Sequence, residues 1–159
     1  MRALIVGSTL AVMTAGGVAV TADDAAVPPA WLGIWALNVE RSDYGAAPAP
    51  YKRATYRIEP AGDGMRVVYD MVHPRGGTTH LEWTGRMDGR DYALQGVDQA
   101  ITYAYTALGD GAHEIVVKID GRVAARSRVS LSPDGRTMTT RTTTAGRQPA
   151  VITTVYEKR

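Results

Sequence analysis

The sequence predicts an all-β chain: a single antiparallel up-and-down β-barrel of about 8–10 strands, preceded by a signal peptide. Three observations carry this. Beyond residue 30, apolar and polar residues alternate in segments rich in Val, Ile, Thr, Tyr and Trp, the period-two pattern of half-buried strands. Asp-Gly and Gly-Gly pairs separate these segments, and Gly there accepts the positive φ of tight hairpin turns. Nearly every link is short, so successive strands are antiparallel neighbours, and a long meander escapes exposed edges by closing on itself. A two-sheet sandwich is the competing architecture.

The elements follow in order. Met1 and Arg2 form a minimal positive start, 3–20 is apolar or small, and Val20-Thr21-Ala22 offers a cleavage site before Asp23-Asp24. That order reads as a secretory signal peptide over 1–22, with an uncleaved membrane anchor as the alternative. The expected address is periplasmic or secreted, with no stable membrane insertion after cleavage. A short leader follows over 23–30, stiffened by Pro28-Pro29, and then a β-domain over 31–159. Candidate strands fall at 31–39, 51–59, 65–73, 78–87, 91–95, 100–107, 112–119, 122–131, 136–144 and 150–158. The one long link, 41–50, is too Pro-rich for a regular helix and is placed over one barrel mouth.

Composition narrows the chemistry. The 159 residues suit one domain, with 18 basic and 16 acidic side chains interspersed and a net charge of +2. No basic stripe with interleaved aromatics marks a nucleic-acid partner. Cysteine is absent, which removes disulfides, thiolate nucleophiles, Cys-ligated zinc and lipoprotein attachment.

Alternation also sorts the faces. Met65, Val67, Tyr69 and Met71 oppose Arg66, Val68, Asp70 and Val72; Leu81, Trp83 and Met87 oppose His80, Glu82, Thr84 and Arg86. Ile101, Tyr103 and Tyr105 form one face, as do His113, Ile115, Val117 and Ile119. Val123, Ala125, Val129 and Leu131 oppose Arg122, Arg126 and Arg128. The first-named sets are expected inside. Whether they enclose a ligand cavity or fill a core stays open.

Trp31-Leu32-Gly33-Ile34-Trp35-Ala36-Leu37-Asn38 opens the first strand with Gly-x-Trp, and the chain ends Val155-Tyr156-Glu157-Lys158. A late hairpin reads Ser132-Pro133-Asp134-Gly135-Arg136-Thr137-Met138-Thr139. In these features the chain resembles the lipocalin and fatty-acid-binding-protein (calycin) superfamily, and is most similar to small secreted lipocalin-like proteins of bacteria. The resemblance implies a lipocalin-like barrel whose floor is closed by Gly33 and Trp35 under a basic side chain, for which Arg141 is the candidate. It also implies a difference. Fatty-acid-binding proteins carry an arginine two residues before the tyrosine of the last strand; here Tyr156 matches but Thr154 stands at the arginine position. Their helical lid is missing too.

No catalytic motif is present. His80 and Glu82 share a strand face and, with Asp70 or His73, sketch a metal or acid–base set whose bland alternative is a solvated polar face. Arg122, Arg126 and Arg128 read as an anion stripe or, by default, a solubilising face. The Thr-rich run 137–144 is high-propensity strand sequence. The leading expectation is a binding protein for a small apolar or amphipathic molecule, contacted by Tyr56, Tyr69, Met71, Trp83, Tyr103 and Tyr105, with no cofactor and no metal. The alternatives are a cavity enzyme using His80, Glu82 and Asp70, or an envelope interaction module with a filled barrel. Oligomeric state is not readable.

Overall fold

Ten strands follow one another along the chain: β1 (Gly33–Asp43), β2 (Arg53–Ala61), β3 (Gly64–Val72), β4 (Thr78–Gly85), β5 (Tyr92–Gln95), β6 (Ile101–Ala107), β7 (His113–Ile119), β8 (Arg122–Leu131), β9 (Thr137–Thr144) and β10 (Val151–Lys158). Each pairs antiparallel with its chain neighbour, and β10 pairs with β1, so the sheet closes into a barrel. The computed structural model describes residues 27–159. The expected signal peptide and the first half of the leader lie outside them. Every expected strand is present, and only the end of β1 departs by more than two residues from its expected bound.

The floor is built from the first described residues. Pro28 leads into one turn of 3-10 helix, Pro29–Trp31, whose tight geometry suits the fixed φ of proline. Trp31 and Trp35 are both buried, and the Trp35 indole N–H donates to the Trp31 carbonyl at 2.8 Å. The basic residue over Trp35 is Lys158, not Arg141. Its Nζ lies 5.0 Å from the ring centroid and donates to the Ala30 carbonyl at 2.9 Å. Register explains the correction: Trp35 faces Lys158 across the β1–β10 seam, while Arg141 is exposed and pairs with Thr153 higher in the barrel. The floor is also tight between strands. A Cβ at Gly64 would overlap the Gly85 carbonyl oxygen, so two backbones meet there with no room for a side chain.

Two irregularities shape the sheet. In β1, Asn38 faces Val155 but the next registered pair is Asp43 with Thr153, so residues 39–42 form a bulge. Ser42 repairs the ladder: its hydroxyl donates to the Asn38 carbonyl at 2.7 Å and accepts the Val155 N–H at 3.0 Å. In β8 the register shifts between Val117–Ala125 and Lys118–Val123, leaving Ala124 as an extra residue. The shift turns Val123 to the outer face, where it is 39% exposed, which corrects its expected inward position. The other inward sets stand as read. Val68, on the outward set of β3, is nonetheless buried; it sits opposite Arg57 and Glu82.

The floor generates a test. Replacing Trp35 by Ala is expected to lower unfolding stability by about 3–5 kcal/mol, the usual cost of excavating a buried indole. Lys158→Ala is expected to cost only about 1 kcal/mol, the scale of one cation–π contact and one hydrogen bond. Urea unfolding followed by tryptophan fluorescence measures both; equal losses would show that the lysine, rather than indole packing, holds the floor.

Candidate functional site

The inward face of the barrel does not fill it. A cavity of about 240 Å³ lies between the floor and the segment that links β1 to β2. Tyr44, Pro50 and Tyr51 of that link line it, so the Pro-rich segment does cover one mouth. Trp31, Met87 and His113 line it from the floor side.

Its walls differ. One is aromatic. Tyr56, Tyr69, Tyr103, Tyr105 and Tyr156 project from β2, β3, β6 and β10 into the same space. Tyr69 and Tyr105 share a hydrogen bond between hydroxyls at 2.7 Å, and the Tyr156 hydroxyl donates to that of Tyr56 at 2.7 Å. The rings of Tyr56 and Tyr69 meet edge to face at 4.7 Å. Burial pushes every one of these phenols up: Tyr103 and Tyr156 to about 12, with Tyr56, Tyr69 and Tyr105 also well above the ordinary value. All five are therefore neutral donors and acceptors at physiological pH. The opposite wall carries Ile115, Val117 and Val129, with the hydroxyls of Ser127, Thr140, Thr142 and Thr154 beside them. Ser127 and Thr142 bond each other across β8 and β9 at 2.8 Å.

Of the expected ligand contacts, Tyr56, Tyr69, Tyr103 and Tyr105 line the cavity. Met71 and Trp83 are buried in the core but do not line it. Trp83 backs the aromatic wall instead: its ring stacks on Tyr105 with centroids 4.3 Å apart, and its indole N–H donates to the Tyr103 carbonyl at 3.3 Å. Gly33 and Trp35 lie at the floor, where Gly33 adopts φ +123 against the Lys158 side chain.

The acid–base set lies elsewhere. Asp70, His80 and Glu82 face outward and are at least a quarter exposed. His80 bonds Asp70 at 2.7 Å and Glu82 at 3.1 Å, and Arg66 ties Glu82 to Glu59. Hydrogen bonding to Asp70 first, then to Glu82, raises the His80 pKa. The cavity-enzyme reading of these three is thus corrected: alternation puts them on the solvent side of β3 and β4, away from the cavity. His73 also sits outside it, bonded to Thr79. Among the described residues no cluster of three His, Cys, Asp or Glu is placed to hold a metal. The expected arginine stripe of β8 is interrupted: the bulge at Ala124 puts Arg122 opposite Ile119 and out of phase, while Arg126 and Arg128 face solvent and pair with Glu114 and Asp110. Among the described residues the large exposed apolar side chains are Ile34 at the floor end and Val123 and Val151 at the mouth end.

Sequence reading missed the polar part of the site. Tyr44, Ser127, Thr140, Thr142, Thr154 and Tyr156 line the cavity, as does His113, whose inward facing was expected but which was not named as a contact. The signal was available in β9, where Thr140 and Thr142 are in phase with the buried Met138. His113 is the one titratable imidazole facing inward. It is 3% exposed, packs edge-on to Trp31 at 4.2 Å, and its Nδ1 has no hydrogen-bond partner. Burial lowers its pKa to about 4.

That depression has a measurable consequence. The unfolded chain takes up a proton on this imidazole near pH ~6.5. The folded chain resists it until about 4. The contribution is therefore present above ~6.5 and is lost as pH falls, with a size on the order of 1–3 kcal/mol. His80 works in the opposite sense, since its raised pKa gives stability below its unfolded value that fades as pH rises. In His113→Leu the fall in unfolding stability between pH 6.5 and 4 is expected to flatten relative to the parent chain; an unchanged slope in urea titrations would show that this imidazole is not kept neutral by the fold.

The chain matches no protein-family model and no curated protein sequence. Among solved structures it is similar to the zebrafish ileal bile acid-binding protein complexed with cholic acid. The two share 12% sequence identity and a TM-score of 0.50, over 82% of this chain and 99% of that one. At that identity the likeness is one of fold, and the shared fold is a closed antiparallel β-barrel.

Proposed function

We propose that this protein is a binding protein for a small uncharged molecule, apolar or amphipathic, held inside the barrel. The observation that carries the reading is the lining itself. Twenty-four residues face the cavity and none is Asp, Glu, Lys or Arg. A buried carboxylate or ammonium would sit there without a counter-charge, which is costly by several kcal/mol. A neutral molecule loses little, because aliphatic and aromatic carbon covers its body and hydroxyls meet its polar groups.

The size supports a compact ligand. The cavity of about 240 Å³ is a little below the range usual for drug-sized ligands, about 300–1,000 Å³. The structural neighbour supports the use of such a barrel as a container, since that protein holds cholic acid. The lining argues for a different ligand charge in this chain. The N-terminal sequence supports export, so we place the binding event in the periplasm or outside the cell.

Fluorescence of the neutral probe N-phenyl-1-naphthylamine reports occupancy. Uptake is expected, with displacement by 1-octanol at least tenfold more effective than by octanoate at pH 7. Thr154→Arg puts a guanidinium on the cavity wall two residues before Tyr156 and is expected to shift that preference at least tenfold towards octanoate. No uptake of the probe would sink the cavity reading. Octanoate displacing it as well as octanol does would sink the uncharged one.

A further inference from the structure

The cavity lining changes character along the barrel axis. On β2 and β3 the inward residue nearer the floor is apolar and the next one towards the mouth is a phenol: Ile58 then Tyr56, Val67 then Tyr69. On β8 and β9 the same step runs from an apolar side chain to an aliphatic hydroxyl: Val129 then Ser127, Met138 then Thr140. Met65, Met87 and Met138 line the floor end and are each at most 5% exposed. Unbranched thioethers adapt to the shape of an apolar tail. β7 runs the other way, with His113 at the floor and Ile115 and Val117 above it. His113 is 3% exposed and packed edge-on to Trp31, so little of its polarity reaches the space.

The uncommitted phenol stands in the mouth half. Tyr69 bonds Tyr105 and Tyr156 bonds Tyr56, which commits four of the five wall phenols. Tyr103 is the fifth. Among the described residues its hydroxyl has no protein partner, and it is not sealed off as the unpaired Tyr44 hydroxyl is. Tyr103 faces Val117, four residues up β7 from His113, and lies close to Tyr51 of the mouth segment. A polar head lodged at the floor would lose its water for little return, whereas at Tyr103 it gains a hydrogen bond. We infer that the ligand is a monopolar amphiphile, with one apolar tail and one neutral hydrogen-bonding head, seated tail-down with its tail among Met65, Met87 and Met138 and its head on Tyr103 Oη. This rests on the proposed binding of an uncharged molecule and adds the number of its polar ends and its direction. A phenol both donates and accepts, so a ketone, an ester carbonyl or an alcohol serves as the head.

The probe is 2-octanone, whose two methyl groups mark its ends. With the methionine methyls of the full chain labelled with ¹³C, intermolecular NOEs are expected from the C8 methyl to Met65, Met87 and Met138. None is expected to Met71, which is buried outside the cavity lining. The head is tested by displacement of N-phenyl-1-naphthylamine with 2-octanone and with 1-octene, which has no carbonyl. In Tyr103→Phe the affinity of the ketone relative to the alkene is expected to fall about fivefold, the scale of one hydrogen bond. The lost oxygen bonds no protein group, so unfolding stability is expected to hold; the NOEs are read on the parent chain and stand whether or not the variant folds. C1-methyl contacts with those methionines as strong as the C8 ones, or an unchanged ratio in folded Tyr103→Phe, overturn the inference while leaving cavity binding intact. Failure of both molecules to displace the probe overturns the inference together with the binding proposal.

Discussion

A meander of ten antiparallel strands has two unpaired edges unless its first strand meets its last. Here that meeting is the β1–β10 seam, where Trp35 faces Lys158 and Asn38 faces Val155. The partners lie far apart in sequence, so the seam is the most non-local pairing in the sheet. Its closure entropy grows slowly with loop length, but non-local pairing of this kind slows folding. The seam is correspondingly reinforced. Glu157 accepts from both Asn38 and Arg41, Ser42 stands in for a missing ladder bond, and Lys158 reaches across Trp35 to the Ala30 carbonyl. The same contacts seat the floor. Closing the edges and sealing the bottom of the cavity are one structural event.

Closure imposes a separation of chemistry. Once the sheet is a barrel, each strand has a dry face and a wet face, and charge can be solvated only on the second. The charged network Glu59–Arg66–Glu82–His80–Asp70 spreads over β2, β3 and β4 on the outside. The inside uses neutral oxygen instead. Tyrosine supplies aromatic bulk with a hydroxyl at the tip, and this chain has eight tyrosines and no phenylalanine. Buried phenols bond in pairs, which satisfies them without water and fixes their rings. The result is a cavity that is polar in detail and uncharged overall.

This division sets what was legible in the sequence. Period-two alternation and Asp-Gly turns report strand number and facing, because both follow from local stereochemistry. Local rules do not see a bulge. Ala124 breaks the phase of β8 and turns Val123 outward, and residues 39–42 lengthen β1, with no residue type that announces either. Nor do they see register across the closing seam, which is why Lys158 rather than Arg141 covers Trp35. Four of the six expected contacts line the cavity because facing alone decides them. Met71 and Trp83 have the right facing but spend it on packing, and that depends on how ten strands together leave space. The threonines of β9 are strand-formers by propensity; that Thr140 and Thr142 also carry cavity hydroxyls follows from phase.

The distribution of pairing bears on how a closed barrel can exchange its contents. Most neighbouring strands run alongside each other for their full length, as β2 and β3 do from Arg53–Val72 to Ala61–Gly64. The exceptions are β1–β2, registered only from Gly33–Ile58 to Ala36–Thr55, and β5. β5 meets β4 only at Glu82–Gln95 and Trp83–Leu94, and β6 only at Tyr92–Tyr103 and Ala93–Thr102. Local opening costs least where few backbone bonds must break. Yet the strands flanking β5 carry Trp83, Tyr103 and Tyr105, the best-packed part of the aromatic wall. Sparse ladder and dense ring packing therefore offset each other on that side. The mouth segment is different: Tyr44, Pro50 and Tyr51 reach the cavity from a connection that belongs to no strand. Displacing it would cost side-chain contacts without tearing the sheet, so the mouth offers less resistance than the seam or the floor.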